Sequence, residues 1–221
     1  METFQDEKVG GVTGPTVIPT SYKNNRDLFF FEKKFRSKNL LWRAVGYIYF
    51  SFFLENQSRR VSHWFDSGAF SLGKNFEQAS KKPLQEVLNL EACNLSVRKK
   101  ILIADGGFNE DYDAGLGDYH EAEVAFSVRR AGYICMFNPK AYLNHLPSKD
   151  GFFNERPGSY HRMINLIMFY KRNIRLDSPR KLIRFFLYII FLDCYYLFIA
   201  IKSRQLKQLG ALSGTVVGFL K

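Results

Sequence analysis

The residues best placed to do chemistry lie between Cys93 and His145, and Glu121 stands first among them. A helix is predicted over Tyr119 to Ala131, closed by Gly132. From Glu121 the positions i+3, i+4 and i+7 are Val124, Ala125 and Val128, so Glu121 begins the apolar face of that helix. A carboxylate there points toward the core or into a cleft. The helix N-terminus favours its ionised form, and a positioned, ionised carboxylate suits a general base. A plainer reading stays open: Asp118-Tyr119-His120-Glu121 fits a capping-box variant, with Asp118 as N-cap and Glu121 at N3. Glu123 is turned well away from the Glu121 face and reads as a surface or loop-facing carboxylate. His145 ends a strand; it is either a structural histidine or a ligand. Arg129 and Arg130 complement the helix dipole or form a solvated basic face. The literal Asp111-Tyr112-Asp113 reads as part of a polar loop.

The elements that must position these residues are short. Val9 to Ile18 reads as a strand with an internal turn, where Pro15 marks an edge or a bulge. Residues 27–55 are dense in Phe, Tyr and Leu, interrupted by Lys33, Lys34, Arg36, Lys38 and Arg43, and predict one or two amphipathic helices. Residues 66–84 read as a loop, and residues 86–97 contain a short strand ending in Cys93-Asn94-Leu95-Ser96. Arg98 to Ala104 predicts a short helix that Gly106-Gly107 ends. Strands follow at Tyr133 to Phe137 and Ala141 to His145. Phe185 to Ile201 is a 17-residue apolar stretch broken only by Asp193, with Arg172, Arg175, Arg180, Lys181 and Arg184 before it and Lys202, Arg204 and Lys207 after it. As a helix it would be about 25 Å long, against a hydrocarbon core of about 30 Å. A charge near its middle costs roughly 2.5–3.5 kcal/mol on insertion. The expectation is a helix lying in the membrane interface or paired as a hairpin with residues 206–220; a buried core helix is the alternative. Gly210, Gly214 and Gly218 repeat every four residues and permit close helix contact.

Four blocks resemble the family 2 glycosyltransferases. Ala92-Cys93-Asn94-Leu95-Ser96-Val97-Arg98 followed by Gly106-Gly107-Phe108-Asn109-Glu110 is similar to the family's "G-x-N-x-x-x-R … G-G-F-D-E". His120-Glu121-Ala122-Glu123 stands where the family has an acidic motif opening a helix. Arg129-Arg130-Ala131-Gly132-Tyr133 is similar to the end of that helix, and Pro139 to His145 to "P-x-A-x-x-x-H". The resemblance covers roughly residues 1–175; residues 176–221 form a basic, apolar tail similar to the membrane-associating tails of such enzymes. It implies an α/β fold, a partial GT-A (Rossmann-like) domain carrying an amphipathic, hydrophobic helical tail. It makes Glu121 the base that deprotonates an acceptor hydroxyl. His120 stands where an acid is common, and Glu replaces the usual Asp, so the acceptor geometry differs by one methylene. Asn94 and Arg98 would shape the acceptor wall, with Asp118, His120 and Arg129 as further acceptor-binding candidates and His145 as a metal ligand.

The same resemblance places Met1 just after the Asp-x-Asp motif whose carboxylates hold Mg²⁺ or Mn²⁺ against the diphosphate. Val9 to Val17 resembles the strand after it. The expectation is that the nucleotide-binding half lies outside this chain, which is then a fragment or a subunit whose donor site comes from a separate N-terminal half chain.

The bulk of the sequence narrows the partners. The 221 residues are 46% hydrophobic and 16% aromatic, with 22 Phe, enough for a packed core. A net charge of +11 calls for an anionic partner: lipid, a phosphorylated substrate or nucleic acid. No zinc spacing, basic heptad helix or RNA-stacking signature argues for nucleic acid. Three cysteines without close spacing give neither a disulfide framework nor a metal cluster. The acidic, polar N-terminus predicts no signal peptide. The expected function is inverting transfer of a sugar from a nucleotide-diphosphate sugar to a lipid-linked or surface glycan, on the cytoplasmic side of a membrane. The alternatives are a non-catalytic, membrane-associated remnant or interaction subunit, and a polybasic lipid-binding protein, which would leave the four blocks unexplained.

Overall fold

The computed structural model describes residues 2–17, 38–71, 80–112, 115, 117–146, 158–174 and 177–221. Lys33, Lys34, Arg36, Asp113, Pro147 and Arg175, with the first part of the helices expected over 27–55, lie outside the described residues. The chain is mixed α/β with mixed sheets.

The sheet that carries the candidate site has four strands: β1 (Val9–Thr13), β5 (Gln85–Val87), β6 (Leu95–Val97) and β7 (Ile134–Phe137), in the order β5-β7-β1-β6. β1 pairs parallel with β7 and antiparallel with β6, and β5 pairs antiparallel with β7. The β1–β7 ladder breaks at Gly14-Pro15 and resumes as β2 (Thr16–Val17) against β8 (Leu143–Asn144). Pro15 has no N–H to give, but its carbonyl accepts from Leu143 N at 3.0 Å. A Cβ on Gly14 would sit 1.9 Å from the Ala141 carbonyl oxygen, so only glycine fits the break. β3 (His63–Trp64) and β4 (Phe70–Ser71) form a separate hairpin.

Helices α2 (Lys99–Ala104) and α3 (His120–Arg130) accompany this sheet. Ala125 and Val128 of α3 join Val61, Val87, Leu90, Ile101, Cys135 and Phe137 in a compact core. The approach is close: a Cβ on Gly10 of β1 would lie 2.7 Å from Val128 Cγ1. The second core is helical and aromatic. It joins α1 (Leu40–Ile48, continued by one π-helical turn, Tyr49–Phe53), α4 (Ser159–Asn173), α5 (Pro179–Ser203) and α6 (Gly210–Leu220) through Phe53, Trp64, Phe65, Phe169, Tyr170, Phe185 and Tyr188.

Several expectations change. The short strand expected within residues 86–97 is β6, which begins only at Leu95; Cys93 and Asn94 belong to a turn between β5 and β6, Glu91–Asn94, whose ends bridge each other. The region read as a loop over 66–84 contains β4. The strand over Ala141 to His145 shrinks to β8. The capping box does not form. Tyr119, not Asp118, is the N-cap of α3, in the left-handed region at φ 79°, and no side chain caps the helix. Gly132, at φ 83°, closes it as predicted. Glu123 is buried rather than surface-facing. The apolar tail helix begins at Pro179, capped by Ser178 Oγ, which accepts from Lys181 N. Its pairing with α6 is as expected, but the glycine stripe of α6 meets α4: Cβ atoms on Gly214 and Gly218 would strike the Tyr160 carbonyl and Ile167.

Pro179–Lys202 is long and apolar enough to cross a membrane. Its face toward the core carries Phe185, Tyr188, Ile189 and Ala200; the opposite face exposes Ile183, Leu187, Ile190, Leu197 and Ile201.

Candidate functional site

The candidate site forms where the start of α3 meets the β5–β6 turn. Gly117 (φ 64°) and Tyr119 (φ 79°) bring the chain into α3 through two left-handed residues. For a non-glycine residue this costs roughly 1–2 kcal/mol. Packing holds Tyr119 there: its ring stacks on Phe169 at 6.0 Å and tilts against Trp64 at 5.8 Å. Asn165 Nδ2 of α4 donates to the Asp118 carbonyl at 3.2 Å. Arg162 of α4 lies in the field of Tyr196, Tyr119 and Asp118, which keep its guanidinium firmly protonated.

His120 and Glu121 open the helix on this support. His120 Nδ1 contacts the Gly117 carbonyl and lies 3.5 Å from Glu121 Oε2. The His120 ring stands edge-on to Phe108 at 5.9 Å, tying it to the Gly106-Gly107-Phe108 block. The Glu121 side chain is one quarter exposed. Burial pushes its carboxyl up; its backbone N–H, His120 and Arg162 pull it back, and Asp118 adds to the rise. The helix N-terminus therefore does not win, as the sequence suggested it would; burial outweighs it. A carboxyl held above its ordinary range accepts a proton more readily than an unperturbed one. Across from it, burial pushes Glu91 up to about 7, and the Glu121 charge contributes. Cys93 is raised by burial and by the same two carboxylates.

Asn94 Nδ2 donates to the Pro15 carbonyl at 3.2 Å and the Ala141 carbonyl at 2.7 Å, so its amide pins the break in the sheet. Arg98 caps the start of α2 and donates to the carbonyls of Val9, Phe4 and Asp6 at 2.6, 2.8 and 3.1 Å. Both groups are occupied by backbone. Arg129 lies over the Phe126 ring at 5.3 Å, and its charge helps burial hold the His63 imidazole down at about 4. His145 follows β8, its N–H donating to the Val17 carbonyl at 2.7 Å. Among the described residues no group of three His, Cys, Asp or Glu side chains could hold a metal ion, so His145 is not joined there by a ligand set. Asp111 pairs with Arg172.

Glu123 has its own network. Tyr112 Oη donates to Oε2 at 3.1 Å, Arg130 Nη2 to Oε1 at 3.2 Å, and Asn173 Nδ2 to Oε2. A cavity of about 430 Å³ opens beside it, bounded by Asp105–Glu110, Glu123, Ser127 and Arg130.

Sequence reasoning missed Glu91, Tyr119 and Arg162. Glu91 is an isolated carboxylate in a turn that the sequence pattern does not display. Arg162 belongs to α4, a helix whose buried face carries Met163, Ile164, Leu166 and Ile167 in near-continuous succession and so gives little amphipathic period. No family model, curated protein or solved structure matches the chain.

Proposed function

We propose that the chain is the acceptor-side part of a membrane-associated family 2 glycosyltransferase of the GT-A fold. The observation that carries the reading is Glu121: a partly exposed carboxyl, raised by burial, at the head of α3 with His120 at 3.5 Å, inside four sequence blocks that resemble the family in order and spacing. Glu121 takes the proton of an acceptor hydroxyl. The acceptor oxygen then forms a bond to the anomeric carbon of a nucleotide-diphosphate sugar, from the face opposite the leaving group. The anomeric C–O bond breaks, and its electron pair leaves with the nucleoside diphosphate. His120 orients Glu121, and Arg162 offsets the charge that Glu121 and Asp118 place together. The acceptor is a lipid-linked or surface glycan, approached from the cytoplasmic face of the membrane that α5 contacts.

A divalent metal, Mg²⁺ or Mn²⁺, would neutralise the diphosphate leaving group. The described residues do not supply its ligand set, so the metal belongs with the nucleotide half, contributed from outside the described residues or by a separate chain.

The test is sugar transfer by the complete enzyme, donor half included, with Glu121→Gln against wild type. Normal transfer rates in the variant would overturn the reading. A second reading, a non-catalytic membrane-bound interaction subunit, is favoured by one observation: Asn94 and Arg98, which the family uses along the acceptor wall, are spent on backbone carbonyls.

A further inference from the structure

α5 is the middle member of a layer. α1 runs antiparallel along one flank: Trp42 meets Phe198 at 5.2 Å, Tyr49 meets Phe191 at 5.6 Å, and Phe53 meets Tyr188 at 5.2 Å. α6 runs antiparallel along the other: Thr215 Oγ1 donates to Asp193 Oδ1 at 3.0 Å, and Phe219 stacks on Phe186 at 5.2 Å. The side of α5 toward α4 is committed to the core, where Phe185 stacks on Tyr170 at 3.6 Å. The side away from α4 carries Ile183, Leu187, Ile190, Cys194, Leu197 and Ile201, at i, i+4, i+7, i+11, i+14 and i+18, all exposed. That is one straight apolar stripe.

Three observations say what covers it. The flanking helices cannot cross a bilayer. The 14 residues of α1 with its π turn, Leu40–Phe53, reach about 21 Å, and the 11 residues of α6 about 16 Å, against about 30 Å of hydrocarbon. Inserting α5 across the bilayer would tear its inner face from Tyr170 and the rest of the helical core. Charge also fits a helix lying flat. Exposed Arg180 stands at one end of α5, and exposed Lys202, Arg204 and Lys207 at the other. A spanning helix gathers its basic residues on one side; a helix lying in the interface presents both ends to headgroups.

We propose that α5, flanked by α1 and α6, lies in the plane of one leaflet of an anionic bilayer, stripe inward, and does not cross it. This rests on the membrane contact proposed above and is independent of sugar transfer.

Cys194 sits within the stripe and reports its depth. Cys135 is buried, and replacing exposed Cys93 by Ser leaves Cys194 as the accessible thiol. The whole chain, labelled there with an environment-sensitive fluorophore, is mixed with vesicles of phosphatidylcholine containing about 30% phosphatidylglycerol. The expected result is binding, with stronger quenching by nitroxide lipids labelled near the headgroup than by those labelled near the chain end. The double substitution Ile190→Asp, Leu197→Asp changes only exposed side chains, 57% and 39% accessible. It is expected to weaken binding at least tenfold while leaving the circular-dichroism melting curve in place. Binding with dominant deep quenching would place Cys194 near the bilayer centre and overturn the in-plane arrangement while keeping the membrane contact. Absence of vesicle binding would overturn both. Undiminished binding by the double variant would overturn the stripe as the contact.

Discussion

Glu121 and Glu123 leave the same helix two residues apart and meet opposite surroundings. On the sheet side of α3, packing is by small residues brought close: Gly10, Ala125, Val128 and Cys135. Glu121 faces this side, with His120 and the Glu91 field near it. On the other side, α3 meets α4 through large rings and a saturated polar network: Phe126 and Phe169, then Tyr112, Arg130 and Asn173 around Glu123. A buried carboxylate with its acceptor sites filled is a structural tie between α3 and α4. A carboxyl raised by burial, with one imidazole beside it, is free to exchange a proton. The helix thus separates holding from reacting by rotation alone.

The sharpest way to break this contrast is to exchange the two phenotypes. Glu121→Gln is expected to lower transfer by the complete enzyme about 10²–10⁴-fold, the size of a lost general base, with the unfolding midpoint unchanged or slightly raised. Glu123→Ala is expected to do the reverse. It takes the shared acceptor from Tyr112, Arg130 and Asn173, leaving Arg130 to Ser127 and Asn173 to the Phe169 carbonyl, and destabilises the fold by about 2–3 kcal/mol, a fall of roughly 5–10 °C in Tm. Calorimetric melting beside a transfer assay reads both. A Tm loss confined to Glu121→Gln would invert the assignment.

How much of this was legible follows from what each element displays in sequence. α3 showed its apolar face at helical spacing and its closing Gly132, so its extent was readable to within a residue. Its capping was not. Asp118 and Glu121 have the spacing of a capping box, but stacking of Tyr119 on Phe169, 50 residues away, holds Tyr119 left-handed and moves the cap by one. Tertiary packing overrode local capping. Glu123 was misplaced for a related reason: helical phase gives one apolar face, whereas α3 is buried on two sides. β3 and β4 are two residues each, too short to alternate visibly. α4 hid because a helix buried around much of its circumference loses its period. The Asn94 and Arg98 blocks are legible as spacing, but spacing does not show that both side chains reach backwards onto main-chain carbonyls.

A smaller effect comes from Glu91. Its carboxyl rises from an ordinary value of 4.5 to about 7 in the folded chain, through burial first and the Glu121 charge second. The folded state therefore binds a proton more tightly than the unfolded state. The Glu91 contribution to stability is greatest below pH 4.5, falls as pH rises toward 7, and is lost above that. Removing the charge reverses it. Glu91→Gln is expected to raise stability by about 1–2 kcal/mol at pH 8, allowing for solvent screening of a partly exposed group, and to leave it unchanged at pH 4. Denaturant titrations at the two pH values read the difference. The double variant with Glu121→Gln should gain less than the sum of the singles, because part of the Glu91 shift is the Glu121 charge. Strict additivity would mean that the two carboxylates do not share a field, and the site would lose its second member.

The smallest expected effect decides whether Asn94 belongs to the acceptor wall or to the frame. Its amide donates to the carbonyls of Pro15 and Ala141, which lie on the two strands where their ladder is interrupted. Pro15 can give nothing back, and Gly14 leaves no room for a side chain there, so the amide replaces the missing rung. Asn94→Ala leaves the Ala141 carbonyl without that donor, and the Pro15 carbonyl with Leu143 N alone, at a partly buried site, and is expected to cost about 1 kcal/mol. A frame role predicts that this loss appears in melting while the acceptor KM of the complete enzyme stays put. A raised acceptor KM at unchanged Tm would return Asn94 to the wall. It would also weaken the non-catalytic reading, since that reading draws part of its support from the same two hydrogen bonds.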